Sequence, residues 1–483
     1  VHETPGGSLA WHNGQRHRIL LPMLAYHIMK PIVQASLRVF FRRAEVRHRK
    51  RLALPGPLLL AVNHPNTLMD PLLVAAHMPR PAAFLAKSTF FKNPVSKVLF
   101  ESVNCLPIYR RQDAEAAAAA SGRALNAAEL HAQNEAAFGK CYDYLERGRA
   151  IMIFPEGISL NERKLRPLKT GAARIALGAE ARHGFRLGLH VLPVGINYFD
   201  PTRFRSDVLL NVAPPIRVAD YAAAYAADPD AAADALTAAI RQALERRLVI
   251  SRDAAGDALG QQIERTFGDH LNPDDDPDTL YDNFQLGRTL LQAVAYFEQH
   301  DPARFAAVRT QLADYLGALH RHGLDDAALD EQRRGRLAGL VNLALGLPVW
   351  LYGALNNYLP YRLPAVVATR ITPTEPEFRA AVMMGVGLVL FPLFYGLQAA
   401  AVQHWLTHRW WLTALYVLSL PISGFYALGY GAELAARLRR LRALRLFRQA
   451  PAVGAGLLAQ RAAIVAALEA ARVRYLGAPA PPA

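Results

Sequence analysis

PLLLAVNHPNTLMDP, residues 57–71, is the stretch on which the reading of this chain turns. It opens as an uninterrupted apolar run, 57–63, the pattern of a short strand buried on both faces. The run breaks at His64-Pro65-Asn66. Asp70-Pro71 then reads as a helix start, with Asp70 as N-cap and Pro71 at the first helical position, so a helix is predicted over 71–78. His64 therefore falls in a strand-to-helix loop, where functional groups of α/β folds commonly sit. At about 100° per residue, an offset of six puts His64 and Asp70 on different faces of a regular helix. They meet only if 65–69 form a turn, which Pro65 and Asn66 favour. A carboxylate bonded to one ring nitrogen fixes the imidazole tautomer and leaves the other nitrogen as a base.

The same pattern recurs on either side. Apolar strand candidates lie at 82–86, 150–154 and 190–196, with helical stretches at 126–147 and 170–182 between them. This alternation predicts an α/β domain over 44–218, with a mixed, largely parallel sheet flanked by helices. Ahead of it, 1–43 reads as interfacial amphipathic helices: Leu24, Ile28, Ile32 and Val39 recur at helical spacing, broken by Pro22 and Pro31. The basic run from Arg38 to Arg51 suits anionic headgroups, at about 1 kcal/mol per residue near such a surface. Residues 219–332 read as a helical region, with helices at 229–249, 255–268, 284–299 and 303–321. The acidic run 274–278 reads as a solvated loop without EF-hand spacing.

From 333 the chain changes character. Three 23-residue stretches, 337–359, 380–402 and 410–432, carry no charge, and about 20 apolar residues suffice to span a bilayer. Asn342, Pro348, Asn356 and Asn357 weaken the first. Arg362, Arg370 and Arg379 precede the second, and Arg437 to Arg448 follow the third, whereas the loop 403–409 holds only Arg409. The positive-inside rule then gives a two-helix hairpin, 380–402 and 410–432, within a membrane region 333–448, with both flanks cytoplasmic. Residues 449–483 read as a C-terminal tail.

Composition agrees with a lipid-facing protein. The 483 residues are 52% hydrophobic with a formal net charge of +15, mostly from Arg, which points to an anionic partner. Two cysteines, Cys105 and Cys141, exclude a disulfide framework or a Cys-based metal site and fit a reducing compartment. The 16 histidines show no His-Glu-x-x-His spacing, and there is no Walker-type loop or dinucleotide fingerprint, so neither a metal nor a nucleotide cofactor is expected. No zinc-finger or RNA-recognition signature accompanies the arginines, many of which flank the apolar segments, so nucleic acid is not the expected partner. The Arg- and Ala-heavy composition suggests a GC-rich bacterial genome and hence an inner membrane.

Further blocks join the His64–Asp70 pair. Cys105-Leu106-Pro107-Ile108-Tyr109-Arg110-Arg111 ends an apolar segment with two guanidiniums, groups that bind phosphate in bidentate fashion. Phe154-Pro155-Glu156-Gly157 follows a strand and presents a carboxylate and a Gly at its end. Lys169-Thr170-Gly171 opens a helix, where a Lys and the helix N-terminus both favour an anion. Val191-Leu192-Pro193-Val194-Gly195 is another buried strand. Each has a bland alternative: a structural His beside a capping Asp, a solvated Arg pair, an exposed turn Glu, a surface Lys. Their order, each at a strand end, favours one site.

These blocks resemble the four motifs of the glycerolipid acyltransferase family, the glycerol-3-phosphate and 1-acylglycerol-3-phosphate acyltransferases, over roughly 40–217. The resemblance implies that His64 is a general base on an acceptor hydroxyl and Asp70 its orienting partner. It implies that Arg110 contacts the acceptor phosphate and that Glu156 and Gly157 line the acceptor site, with Pro193 in acyl-chain packing. Lys169 and Arg111 are further phosphate candidates from charge and position. The donor would be acyl-CoA or acyl-carrier protein, the acceptor a glycerol-phosphate-type alcohol, and the setting membrane phospholipid. Five residues separate His64 from Asp70, where the family's usual spacing is four. The longer spacing resembles a subgroup of fungal glycerol-3-phosphate/dihydroxyacetone-phosphate acyltransferases, which also carries hydrophobic segments after the catalytic domain. The alternatives are lysophospholipid acyltransferase or transacylase activity, or a non-catalytic lipid-binding protein on this fold.

Overall fold

The computed structural model describes residues 26–87, 91, 93–94, 97–98, 104–108, 127–271, 280–329 and 340–477. The chain divides into two units, one of residues 1–250 with 374–381, the other of 251–373 with 382–483.

The first unit is built on an eight-stranded sheet. Its strands are β1 (Arg43–Arg47), β2 (Leu58–Val62), β3 (Ala82–Lys87), β4 (Cys105–Ile108), β5 (Ala150–Ile153), β6 (His190–Tyr198), β7 (Asp207–Val212) and β8 (Ile216–Arg217). Their order is β1-β7-β6-β2-β5-β3-β4, with β8 also on β6. Strands β6, β2, β5, β3 and β4 run parallel, while β7 and β8 are antiparallel to β6. β2 lies between β5 and β6 and all five of its residues are buried, which is why Leu58–Val62 reads as an unbroken apolar run.

Helices cover the sheet: α1 (26–40), α2 (Met69–His77), α3 (Ala127–Glu146), α4 (Gly171–Ala181), α5 (Ala222–Ala227) and α6 (Pro229–Glu245). Leu236, Ile240 and Leu244 of α6 join Leu59, Ile151 and Ile175 in one core. That helix therefore packs with the sheet unit, although 219–332 reads in sequence as a separate helical region. The basic run ahead of β2 is also partly used by the fold. Arg42 and Arg43 both donate to Asp207 at the start of β7, and Arg51 donates to the Val212 carbonyl.

The second unit is helical: α7 (Ala254–Leu271), α8 (Leu280–His300), α9 (Pro302–Arg321), α10 (Leu340–Ile371), α11 (Arg379–Ala401), α12 (Trp410–Gln449) and α13 (Pro451–Leu476). The first residues of α11, Arg379–Ala381, belong to the sheet unit. Where the sequence suggests a tail, α13 is a 26-residue helix. Segments Pro376–Leu406, Trp410–Gln449 and Pro451–Leu476 are long and apolar enough to cross a membrane. The third differs from the others. It buries Gly454, Leu457, Ile464 and Leu468, spaced at three, seven and four, against Leu312, Tyr315 and Leu319 of α9, and its Arg461 pairs with Asp326. A stripe already packed on helices, with a partly buried ion pair beside it, suits a bundle better than a bilayer.

α10 runs past its expected end at 359 to Ile371, through Pro348, Pro360 and Pro364. Its asparagines are tied to its neighbours. The Tyr416 hydroxyl donates to Asn356 Oδ1 at 2.7 Å, Tyr395 donates to Asn357 Oδ1 at 2.6 Å, and Asn357 Nδ2 donates to the Leu420 carbonyl at 3.1 Å. Gly353 lets α12 approach, since a Cβ there would lie 2.2 Å from the Ser423 carbonyl oxygen. Small residues and interhelical amide bonds are how apolar helices associate in lipid.

Candidate active site

β2 and β5 are parallel neighbours with Ala61 opposite Ile153. The chain leaves both strands at the same edge of the sheet, and counting on in register sets His64 opposite Glu156. The carboxyl ends of parallel strands are where α/β sheets form their crevices. On the other side of β2, Asn63 clamps β6: its Nδ2 donates to the Ile196 carbonyl at 3.0 Å, and its Oδ1 accepts from the Ile196 N–H at 2.7 Å.

The turn at 65–69 forms, and it brings His64 and Asp70 together with 2.8 Å between His64 Nδ1 and Asp70 Oδ2. Asp70 is not the N-cap expected from sequence. The helix starts at Met69 with Leu68 as cap, so Asp70 lies in its first turn with its side chain directed back toward His64. The same Oδ2 accepts from the Asn66 N–H at 2.8 Å, and Oδ1 accepts from the Tyr198 hydroxyl at 2.8 Å. The Asp70 side chain is fully buried, while that of His64 keeps 19% of its surface exposed. Among the described residues nothing bonds to Nε2 of His64. The ring stacks on Phe154, with centroids 4.0 Å apart. Tyr198 is buried beside a carboxylate, and desolvation first, then that charge, pushes its hydroxyl well above the ordinary phenol range, so it remains a donor.

The loop is braced from several directions. Thr67, a β-branched residue at φ +33°, occupies the left-handed region, a strained position that persists only where neighbours over-determine it. Ser159 Oγ accepts from its N–H at 2.9 Å, and its own hydroxyl donates to the Glu377 carbonyl at 2.9 Å, in the segment 374–381 of the same unit.

Glu156 is buried, and burial raises its pKa against the opposing effect of two backbone donors. Oε1 accepts from the His64 N–H at 3.0 Å and Oε2 from the Arg166 N–H at 3.1 Å. Both oxygens thus hold the His64 backbone and the following loop in place, and this positioning contact is distinct from the acceptor-lining role that the resemblance implies. Gly157 closes the turn at φ +73°, a Cβ there would fall 2.8 Å from Lys169 Nζ, and the Lys169 N–H donates to the Pro155 carbonyl at 2.8 Å. The Lys169 ammonium therefore lies over the Pro-Glu-Gly turn.

His64, Asp70, Glu156, Gly157 and Lys169 come together. Arg110 and Arg111 lie outside the described residues. Pro193 sits inside β6, paired with Ala61 of β2. Sequence reasoning missed Tyr198, Phe154 and Thr67. Phe154 stood in a quoted motif, but its contact with the His64 ring depends on the register of two strands. Cys105 and Cys141 are buried, and burial pushes each thiol up to about 12, so both stay protonated.

Residues 43–197 match the family model described as Acyltransferase. This stretch is an acyltransferase-family domain. Over 304 residues the chain is 23% identical to glycerol-3-phosphate O-acyltransferase 1 of Saccharomyces cerevisiae, covering 58% of this chain and 39% of that protein. Over 233 residues it is 30% identical to an uncharacterized acyltransferase of Schizosaccharomyces pombe, covering 47% of this chain and 34% of that one. The chain thus spans little more than a third of the length of these relatives. Among solved structures, the 1-acyl-sn-glycerophosphate (LPA) acyltransferase PlsC of Thermotoga maritima aligns with 18% identity and a TM-score of 0.32, covering 48% of this chain and 80% of that one. The family model and the two yeast relatives agree on an acyltransferase domain over this stretch. The two yeasts give no support to the bacterial inner membrane suggested by composition, while the long apolar helices agree with membrane association.

Proposed function

We propose that the protein transfers a fatty acyl group from a thioester to the hydroxyl of a glycerol-phosphate-type acceptor, with His64 as general base. The observation that carries this reading is the 2.8 Å contact of His64 Nδ1 with a fully buried Asp70, which leaves Nε2 as the proton-accepting nitrogen of a partly exposed ring. Nε2 takes the hydroxyl proton as the acceptor oxygen attacks the thioester carbonyl. The tetrahedral adduct collapses by breaking the carbon–sulfur bond, and the departing thiolate recovers the proton from His64. Asp70 stabilises the imidazolium between the two transfers, and a base so placed contributes about 10²–10⁴-fold in rate. No acyl-enzyme forms, in keeping with cysteines buried and protonated.

Lys169, beside Gly157, is the described cation best placed to meet the acceptor phosphate, with Arg110 and Arg111 as further contacts. Glu156 acts through the His64 backbone. The hairpin α11–α12 anchors the domain to the membrane, with the basic flanks and the catalytic domain on the cytoplasmic face. α12 has 40 residues, about 60 Å of helix against an apolar bilayer core of about 30 Å. Its uncharged first half spans, and the arginines from Arg437 onward emerge.

The test is an acyl-transfer assay on membranes, crossing glycerol-3-phosphate, dihydroxyacetone phosphate and lysophosphatidate with acyl-CoA and acyl-carrier-protein donors. Transfer to at least one of them, abolished in His64→Ala, is the expected result. Transfer that persists in His64→Ala removes the general base, and ligand binding without transfer by the intact protein favours a lipid-binding role. Acyl exchange between phospholipids with no thioester supplied identifies a transacylase.

A further inference from the structure

The helical unit contains a hollow that the catalytic reading does not use. Four helices, α7, α8, α9 and α13, enclose about 370 Å³, within the ~300–1,000 Å³ range of small-molecule sites. Leu259, Ile263, Leu290, Val294, Phe305 and Val308 give it a wall of carbon. Apolar surface turned toward water is unfavourable, so a lining of this kind is more stable when filled by hydrocarbon. The lining follows α8 from Asp282 to Phe297, about 22 Å of helix at 1.5 Å per residue. One leaflet of a bilayer, half of the ~30 Å core, is shorter than that, so the hollow accepts a long acyl chain.

Its two ends differ in charge. Where α9 begins and α13 ends, Arg304, Arg472 and Tyr475 join the lining. The ion pairs there set three guanidiniums against two carboxylates: Arg474 with Asp301 at 2.8 Å, Arg304 with Asp301 at 3.6 Å, and Arg472 with Glu469 at 3.7 Å. One positive charge is left over, and the two contacts made by the lining arginines are the long ones. At the other end the lining residue is Asp282, in the first turn of α8. The linker 272–279, which joins α7 to α8, reads NPDDDPDT; four carboxylates and no large apolar side chain make it a poor occupant.

We infer that this hollow binds a single-chain amphiphile with an anionic head, the chain lying along α8 and the head at Arg304 and Arg472. A fatty acid and a lysophosphatidate share that chemistry. All of its lining belongs to the helical unit, and its occupancy does not depend on the catalytic reading.

The experiment uses the full chain in lipid nanodiscs and follows the fluorescence of dansyl-labelled undecanoic acid, displaced by palmitate, oleoyl lysophosphatidate or uncharged hexadecanol. Saturable binding is expected, with at least one anion displacing the probe about tenfold better than hexadecanol; the stronger anion identifies the head. Ala293→Trp, which places an indole in the hollow, should weaken binding by more than about tenfold with an unchanged near-ultraviolet spectrum. Should that variant fail to fold, Arg304→Glu with Arg472→Glu decides: hexadecanol keeps its affinity and the anions lose their advantage. Absence of saturable binding, unaltered binding by folded Ala293→Trp, or equal displacement by all three competitors overturns the inference. Binding that appears only with dimer formation on a sizing column assigns the face to a second copy and overturns it as well.

Discussion

Two buried aspartates, one in each unit, are built from similar parts and end in opposite states. Asp70 accepts from the Tyr198 hydroxyl, from the Asn66 N–H and from His64. Asp326 accepts from the Tyr315 hydroxyl at 2.5 Å and from both Nε and Nη2 of Arg461, at 2.9 and 3.1 Å. In each case a buried tyrosine beside the carboxylate has its pKa raised by burial first and by that carboxylate second. The third partner makes the difference. The guanidinium of Arg461 is always charged, so it neutralises Asp326 permanently and the cluster fastens α13 to the turn after α9. An imidazole is charged only on demand. Asp70 therefore orients a ring that stays partly exposed, which suits a proton-transfer step and which a structural pin does without.

The largest expected effects break the pairs at those third partners. His64→Ala and Asp70→Asn should each lower kcat by about 10²–10⁴-fold while the melting temperature stays near that of the parent protein; steady-state kinetics and a thermal scan check both halves. Asp326→Asn should do the reverse, leaving kcat in place and costing about 1–3 kcal/mol of stability, because the partly buried Arg461 loses its counter-charge and the buried Tyr315 hydroxyl its charged acceptor. Denaturant titration reads that loss. Adding Arg461→Met to Asp326→Asn should recover part of it, since removing both members of a buried pair costs less than removing one. A large fall in kcat in Asp326→Asn would collapse the distinction between the two clusters.

The next effect sharpens the comparison within the His64–Asp70 cluster. Tyr198→Phe removes one neutral donor from Asp70 and leaves the His64 contact intact. A hydrogen bond to a charged group contributes about 1.5–3 kcal/mol, so kcat should fall by about tenfold or somewhat more, with KM for the acceptor unchanged. A shift confined to KM would mean that Tyr198 touches substrate instead of orienting the carboxylate.

Which parts of this were legible follows from how local each signal is. The strands at 57–63, 82–86, 150–154 and 190–196 announce themselves because parallel strands buried on both faces are unbroken apolar runs. β1, Arg43–Arg47, does not, because an edge strand with charged residues at its ends looks like the basic flank around it. β7 carries Asp207 and Asn211 within six buried residues, and that polarity hides it. The His64–Asp70 pair could be proposed since only five residues separate its members, whereas Tyr198 lies 128 positions from Asp70 and nothing in the sequence spacing joins them. The same holds for Glu156, whose carboxylate was foreseen at the site but whose partner, the His64 N–H, depends on β2 and β5 being neighbours in register. A proline misled at the far end: Pro348 counted against 337–359 as a span, whereas the helix runs through it and through Pro360 and Pro364, and Gln398 donates to the Asn356 carbonyl that Pro360 leaves without its helical partner.

A third aspartate gives the smallest effect and the cleanest sign. Asp207 has two guanidiniums, Arg42 and Arg43, and no imidazole or phenol. Burial alone would raise its pKa, but the hydrogen bonds from both arginines outweigh that and hold it below the ordinary carboxylate value. A folded pKa below the unfolded one contributes stability that is present above the unfolded value, near 4, and is lost as the pH falls through the folded value. The arginines are half exposed and screened by solvent, so the contribution is modest. Stability curves of the parent and Asp207→Asn should therefore run parallel at neutral pH, with the variant lower, and converge below about pH 4 as the parent's carboxylate takes up its proton. Curves that diverge on acidification would mean that the two arginines do not hold this carboxylate ionised, and that the clamp at the start of β7 is made by the backbone pairing of β1 and β7 alone.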